Sequence, residues 1–417
     1  MTNRSKVPFD AKKVRRDFPI FHRKMSGKPL VYLDTAATAQ KPQAVIDAVC
    51  HYYSQGCGTV HRAVYELAAC ATQHYNEVRE KVRRFLHASE EGEIIFTAGT
   101  TAALNLIALA AGRQWVKAGD EIIVSEMEHH SNLIPWQLLS EAKEATLRIV
   151  PIDDRGDLIV EAYDQMLSEK TKLVSLAHMG NVTGTINPVK ELIAKAHAVG
   201  AKVILDGAQA AAQLPVDVAD LDVDFYAFSG HKLYGPTGVG VLYGKREYLE
   251  ELPAVFGGSD MVAHAALHES SFQPPPLKFE SGTPAIASVI GLGAAIDYVE
   301  LVGKESIFQW EQKLLNYALM AMREVTGVRI IGNPKKKGGL ISFTVEELHS
   351  LDLATVLSLK GVAIRTGHLC ASPLLRRFNV PSLNRISFGM YTTREDIDAF
   401  IMALKESVVL LHPEMSY

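Results

Sequence analysis

The chain has 417 residues, 47% of them hydrophobic and 22% charged, with 43 basic and 47 acidic side chains and a formal net charge of −4. That length can bury more than one core, so two domains are expected, and the charge balance excludes a bulk electrostatic binder of nucleic acid or membrane surface. No apolar run approaches the roughly 20 residues of a membrane helix, and the opening MTNRSKVPFDAKKVRRDFPIF lacks the apolar core of a signal peptide. The four cysteines form no C-x-x-C pair and match no zinc spacing. Together these features read as a cytoplasmic protein with free thiols. Cys50, Cys57 and Cys70 read as buried structural cysteines.

From about residue 90 the chain alternates short apolar runs with helical patterns. Glu93–Thr97 reads as a strand followed by a helix over 101–111, and Glu121–Ser125 as the next strand. Lys172–Ala177 follows, with a helix over 189–199, and then the strands Lys202–Leu205, Val223–Phe228 and Val239–Tyr243. Such a rhythm predicts an α/β fold with a largely parallel sheet covered by helices on both faces. Near residue 290 the texture changes. Helices over 291–302 and 307–325 precede strands at 328–331 and 340–344, a helix over 352–360, strands at 362–365 and 384–388, and a last helix over 394–411. This second set reads as a smaller α+β unit. The run Pro334–Gly339 reads as a solvated turn within it.

Ligands of open α/β sheets bind beyond the carboxyl ends of the strands, and those ends carry chemistry here. Thr97-Ala98-Gly99-Thr100-Thr101 leads into a helix and offers hydroxyls and free N–H groups to a phosphate. In Ser125-Glu126-Met127-Glu128-His129-His130-Ser131-Asn132 the histidine spacing does not suit a metal, whereas a flat His129 ring suits stacking on a cofactor. Asn181 sits in a Gly-flanked turn within reach of a substrate. Asp206 ends a buried strand, where a carboxylate can keep a pyridine nitrogen protonated, and Gln209 lies on the same side. Lys232 lies on the turn Ser229-Gly230-His231-Lys232-Leu233-Tyr234-Gly235-Pro236, with Ser229 and His231 beside it. Singly, these are a threonine cap, a loop histidine, a turn asparagine, a capping aspartate and an exposed lysine. Jointly, at successive strand ends, they read as the site of a pyridoxal phosphate enzyme, with no metal.

The stretches SEMEHHSNLIPWQ, DGAQAA, FSGHKLYGPTGVGVLYGK, FESGTP and RTGHLCASP resemble the class V aminotransferases of fold type I, and within them the SufS-type cysteine desulfurases, over nearly the whole chain. The resemblance implies a seven-stranded, mostly parallel sheet in a large domain over 31–292. It adds an N-terminal arm over 1–30 packed on a small domain over 293–417 that carries the cysteine loop. It implies pyridoxal 5'-phosphate held as a Schiff base on Lys232, with His129 stacked on the ring and available as a proton shuttle, Asp206 on the pyridine nitrogen and Gln209 on the ring oxygen. Thr100, Thr101, Ser229 and His231 would hold the phosphate. Thr283 would reach the phosphate of a neighbouring subunit, which implies a homodimer. Arg385 would bind the substrate carboxylate, with Asn181, Arg365, His61 and Arg62 around it.

The implied reaction takes sulfur from L-cysteine, with L-selenocysteine as the alternative substrate. It releases L-alanine and leaves a persulfide on Cys370. A SufE- or SufU-type acceptor would then carry the sulfur to iron–sulfur cluster assembly. The sequence departs from the family pattern at Thr35, Ala98, Gly180, Leu369 and Ser372 and in the segment Gly58–Tyr65. None of these removes a group given a catalytic role. The rival readings are a selenocysteine lyase, a kynureninase-like hydrolase, an aminotransferase, or a weakly active scaffold that binds an assembly partner.

Overall fold

A computed structural model describes residues 9–415. Its centre is a seven-stranded sheet of β1 (Ile94–Thr97), β2 (Glu121–Ser125), β3 (Thr146–Val150), β4 (Thr171–Ala177), β5 (Lys202–Asp206), β6 (Phe225–Ser229) and β7 (Gly240–Gly244). The strand order is β1-β7-β6-β5-β4-β2-β3. Only β7 runs antiparallel to its neighbours. Strand β3 has no counterpart among the apolar runs. Its Thr-Leu-Arg-Ile-Val sequence lies at the sheet edge with most side chains at least partly exposed, so it carries no continuous hydrophobic signal.

Helices cover both faces. Thr100–Gln114 and Ile134–Lys143 pack on one face with Ile95, Ile122 and Val124. The other face carries Glu66–Leu86, Val189–Ala198 and Ile286–Val302. The last of these is apolar almost all round, as a helix enclosed on several sides must be. Gly293 lets it approach Glu66–Leu86 closely, since a Cβ there would lie 2.5 Å from Val78 Cγ2. Position 292, the expected domain boundary, falls inside this helix. The chain passes to the second unit at Gly303, whose φ of 91° suits glycine.

The second unit is a four-stranded antiparallel sheet of β8 (Val328–Ile331), β9 (Leu340–Val345), β10 (Arg365–Gly367) and β11 (Leu383–Ser387) in the order β8-β9-β11-β10. The helices Lys304–Arg323, Ser350–Leu359 and Arg394–Leu411 share its core. The single strand expected at 362–365 is divided: Val362–Ala363 pairs in parallel with Val31–Tyr32, and Arg365 begins β10. Val31 and Leu33 thus belong to the core of the second unit. Of the arm, Phe9 stacks on Trp310 and Arg15 pairs with Asp396 at 2.9 Å, both on the second unit; residues 1–8 lie outside the described residues.

Two sequence expectations are corrected. Cys50, Cys57 and Cys70 are exposed, not buried. Cys50 and Cys70 sit on the outward faces of helices whose inward positions are Val45 and Tyr52, and Ala68, Ala71 and Tyr75. The run Pro334–Gly339 is not a solvated turn. Lys337 is buried, and its ammonium donates to the carbonyls of Thr183 (2.5 Å) and Gly332 (3.2 Å). Among the described residues no single helix is long and apolar enough to cross a membrane.

Candidate active site

The carboxyl ends of β1, β2, β4, β5 and β6 open on a cleft of about 260 Å³, closed from the second unit by Arg365, Leu369, Cys370 and Arg385. Lys232 ends the short turn Gly230–Lys232 that follows β6. The turn is pinned by Gly230 N–H to Val239 O (2.9 Å) and Gly235 N–H to Gly230 O (2.9 Å). The adjacent helix start comes close because β7 carries Gly240 beside it; a Cβ there would lie 2.4 Å from Gly99 Cα. Thr100 donates its N–H to Ser229 Oγ at 2.8 Å, and the two hydroxyls lie 2.7 Å apart. Thr101 and Ser131 hydroxyls meet at 2.6 Å. A helix N-terminus lined by hydroxyls is an anion seat.

The site's charges are tuned by burial and by each other. Burial lowers the pKa of Lys232 while Asp206 opposes the shift, so the amine is readier to be neutral than an ordinary lysine. Asp206 is raised by burial against the pull of Lys232, and its Oδ1 accepts from Ala208 N–H at 2.9 Å. His129 is pushed down to about 3 by burial and by Lys232, His130 and Arg385. Its Nδ1 accepts from Ser131 N–H at 3.0 Å, which leaves a neutral ring with the proton on Nε2. His231 is held at about 4, mainly by burial, and meets Thr38 Oγ1 at 3.2 Å. Gln209 donates to Ala36 O at 2.8 Å.

Across the cleft, Arg385 on β11 is 3% exposed and donates to Asn181 O (2.8 Å) and more distantly to Asp34 (3.4 Å). Its Nε and the Oδ1 of Asn181 are buried without a partner. A guanidinium lining a cleft suits a carboxylate ligand. The cysteine loop is tied down by two hydrogen bonds to neighbouring carbonyls: Asn181 Nδ2 to Leu369 O and His130 N–H to Cys370 O, both 2.7 Å. His130 Nε2 also accepts from Ser372 N–H at 3.2 Å. Leu369 and Cys370 both take left-handed φ, 50° and 54°, which turns the exposed thiol into the cleft mouth.

Of the residues singled out in the sequence, Lys232, Cys370, His129, Thr100, Thr101, Asp206, Gln209, Ser229, His231, Asn181, Arg385 and Arg365 all line this cleft. Thr283, His61 and Arg62 do not. Thr283 lines a second hollow of about 290 Å³ with Thr97, Gly238 and Glu280. Arg62 pairs with Asp260 at 2.9 Å, and the His61 ring lies edge-on to Tyr75.

Sequence reasoning missed three supports. Glu128 lies buried behind His129, pushed up to about 7 by burial while accepting from Ser125, Asn132 and Ala177. His130 clips the cysteine loop. Lys337 secures the turn that carries Asn181. The first two stand in a segment that drew attention for other reasons. The third has no local signal, because the Thr183 carbonyl it secures lies far away in the chain.

The donor set fits pyridoxal phosphate: a lysine amine between a buried carboxylate and a hydroxyl-lined helix start. The sequence profile described as aminotransferase class-V matches residues 31–400. A relative named probable cysteine desulfurase, from Halalkalibacterium halodurans, is 48% identical over 398 residues, spanning 95% of this chain and 98% of its own. A cysteine desulfurase from Serratia proteamaculans is 45% identical over 406 residues, covering 97% of this chain and 100% of its own. Among solved structures, the Escherichia coli cysteine desulfurase CsdA, in an S-sulfonic acid form, superposes with a TM-score of 0.91 at 37% identity. That match spans 97% of this chain and 100% of the other.

Proposed function

This chain belongs to the aminotransferase class-V family and, within it, to the cysteine desulfurases, and we propose that Lys232 seats its cofactor while Cys370 receives the sulfur. The observation that carries this division is that both side chains line one cleft from opposite units. Pyridoxal phosphate, when bound, supplies an electron sink that labilises bonds around a substrate's α-carbon. Lys232 would hold it covalently through Nζ, with Asp206 at the pyridine nitrogen, Gln209 at the ring oxygen and His129 over the ring. Thr100, Thr101, Ser229 and His231 would hold its phosphate.

The remaining chemistry belongs to the protein's side chains. Arg385 binds the carboxylate of L-cysteine, and Asn181 and Arg365 complete that wall. Lys232, its pKa lowered by burial and its Nζ set free once the substrate's own amine takes its place, takes the α-proton and later returns it to the α-carbon. The Cys370 thiolate attacks the substrate sulfur, so an S–S bond forms as the C–S bond breaks. The electron pair of the broken bond stays with carbon, which gains a proton and leaves as L-alanine. His129, neutral with its proton on Nε2, is placed to donate one. The Cys370 persulfide then passes its terminal sulfur to an acceptor of the SufE or SufU type for iron–sulfur cluster assembly. The exposed loop supports that hand-over.

We further propose a homodimer in which Thr283, His61 and Arg62 serve the cleft of a second copy. Supporting this, Val64 (102%) and Leu267 (96%) are fully exposed apolar side chains near Arg62 and its partner Asp260 in sequence. The proposed place of work is the cytoplasm, in keeping with four unpaired cysteines. The test is alanine release from L-cysteine with excess reductant and pyridoxal phosphate. Wild type should turn over and Cys370→Ala should not; equal release by both would make the chain a lyase that needs no protein thiol.

A further inference from the structure

Among the described residues, buried acids are well provided for, with one exception. Glu280 accepts from Arg79, Tyr75 and Phe96 N–H. Asp224 accepts from His197 and Val203 N–H and pairs with Lys245. Glu128 has three donors. Glu311, 1% exposed, has a partner for neither oxygen. An ionised carboxylate left so would be far too costly, so a group in this position stays neutral.

Glu311 sits on Lys304–Arg323, the first helix of the second unit. It lines a small space of about 10 Å³ shared with Lys232, Gln209, Gln213, Tyr234 and Thr35. That is close to the space one water requires, and the lining supplies its partners. Tyr234 Oη accepts from Met390 N–H at 3.1 Å, which leaves its hydrogen free to donate. Gly339 permits the fit, since a Cβ there would stand 3.0 Å from Glu311 Oε2.

We propose that Glu311 is a neutral carboxylic acid that holds one internal water behind Lys232 and Gln209, and so positions the lysine turn from the second unit. Burial supports this, raising Glu311 well above the usual carboxylate range. The titratable groups around it are Lys232 and the hydroxyls of Tyr234 and Tyr391. Glu311 is therefore a positioning residue that acts through the water. Its effect on the cofactor rests on the proposed function; its protonation state does not.

The test uses Glu311→Gln, which keeps a neutral hydrogen-bonding head, and Glu311→Leu, which removes it. In cofactor-free protein at neutral pH, the infrared difference between wild type and Glu311→Gln should show the carbonyl band of a protonated carboxylic acid. A carboxylate band instead overturns the proposal. In the loaded protein, the midpoint pH of the cofactor's absorbance should move by about half a unit or more in Glu311→Leu and stay within about 0.2 units in Glu311→Gln. A lower melting temperature in Glu311→Leu with an unmoved midpoint would make the residue merely structural and overturn its positioning role. Should wild type show no cofactor absorbance at all, the cofactor reading fails, and the infrared band alone decides the state of Glu311.

Discussion

The two walls of the cleft are built in opposite ways. The lysine wall is the carboxyl end of the central sheet: Lys232 follows β6, its turn is bonded to itself and to Val239, and Ser229 is bonded to the adjacent helix Thr100–Gln114. The cysteine wall is an exposed loop of the second unit. Two carbonyl contacts hold it from the opposite side, and it carries two successive left-handed residues that are not glycine. Such residues cost roughly 1–3 kcal/mol each and persist only where their surroundings impose them. A cofactor seat gains from rigidity, because its groups need one alignment. An acceptor thiol has to meet the substrate and then another protein, so it gains from standing proud on a tether.

Lys232→Ala tests the rigid wall. It should abolish the cofactor's covalent absorbance and lower turnover by at least about a thousandfold, as measured by absorbance and alanine release. Near-normal turnover would sink the assignment. Cys370→Ser tests the other wall and should separate the two. The absorbance should remain as in wild type, while alanine release falls nearly as far. Asn181→Ala removes the clamp on Leu369 and should cost about tenfold in turnover, with a changed rate of Cys370 alkylation by iodoacetamide and an unchanged cofactor absorbance.

Lys337→Met leaves the Thr183 and Gly332 carbonyls without their donor. It should lower stability by about 1–3 kcal/mol in denaturant titration and turnover less than Asn181→Ala. The smallest effect is expected far from both walls. Asp224 raises the pKa of His197, so the protonated ring stabilises the fold below the unfolded value near 6.5. That contribution fades as pH rises through the folded value. His197→Gln should therefore lower stability at pH 5.5 by no more than about 1 kcal/mol and do less at pH 8.5, with turnover unaffected.

The lysine wall was legible in the sequence because its chemistry is local. Each functional side chain ends an apolar run that is itself a strand, so Asp206 and Lys232 announce themselves. The cysteine wall was legible only in its central residue. Cys370 stands in a recognisable motif, but the clamps from Asn181 and His130 join segments far apart in the chain, and no spacing betrays them. Lys337 misled for the same reason. Three lysines and two glycines in a row read as solvated, and it is the Thr183 carbonyl of a distant turn, with that of Gly332, that receives the buried ammonium. Glu311, in a helix rich in polar residues, gave no sign of being interior.

The most direct test of the account is the mass of the Cys370 peptide after one turnover of L-cysteine without reductant. One added sulfur is expected on Cys370 in wild type and none in Lys232→Ala. Alanine formed with Cys370 unmodified, or sulfur found on Cys50, Cys57 or Cys70 instead, would contradict it.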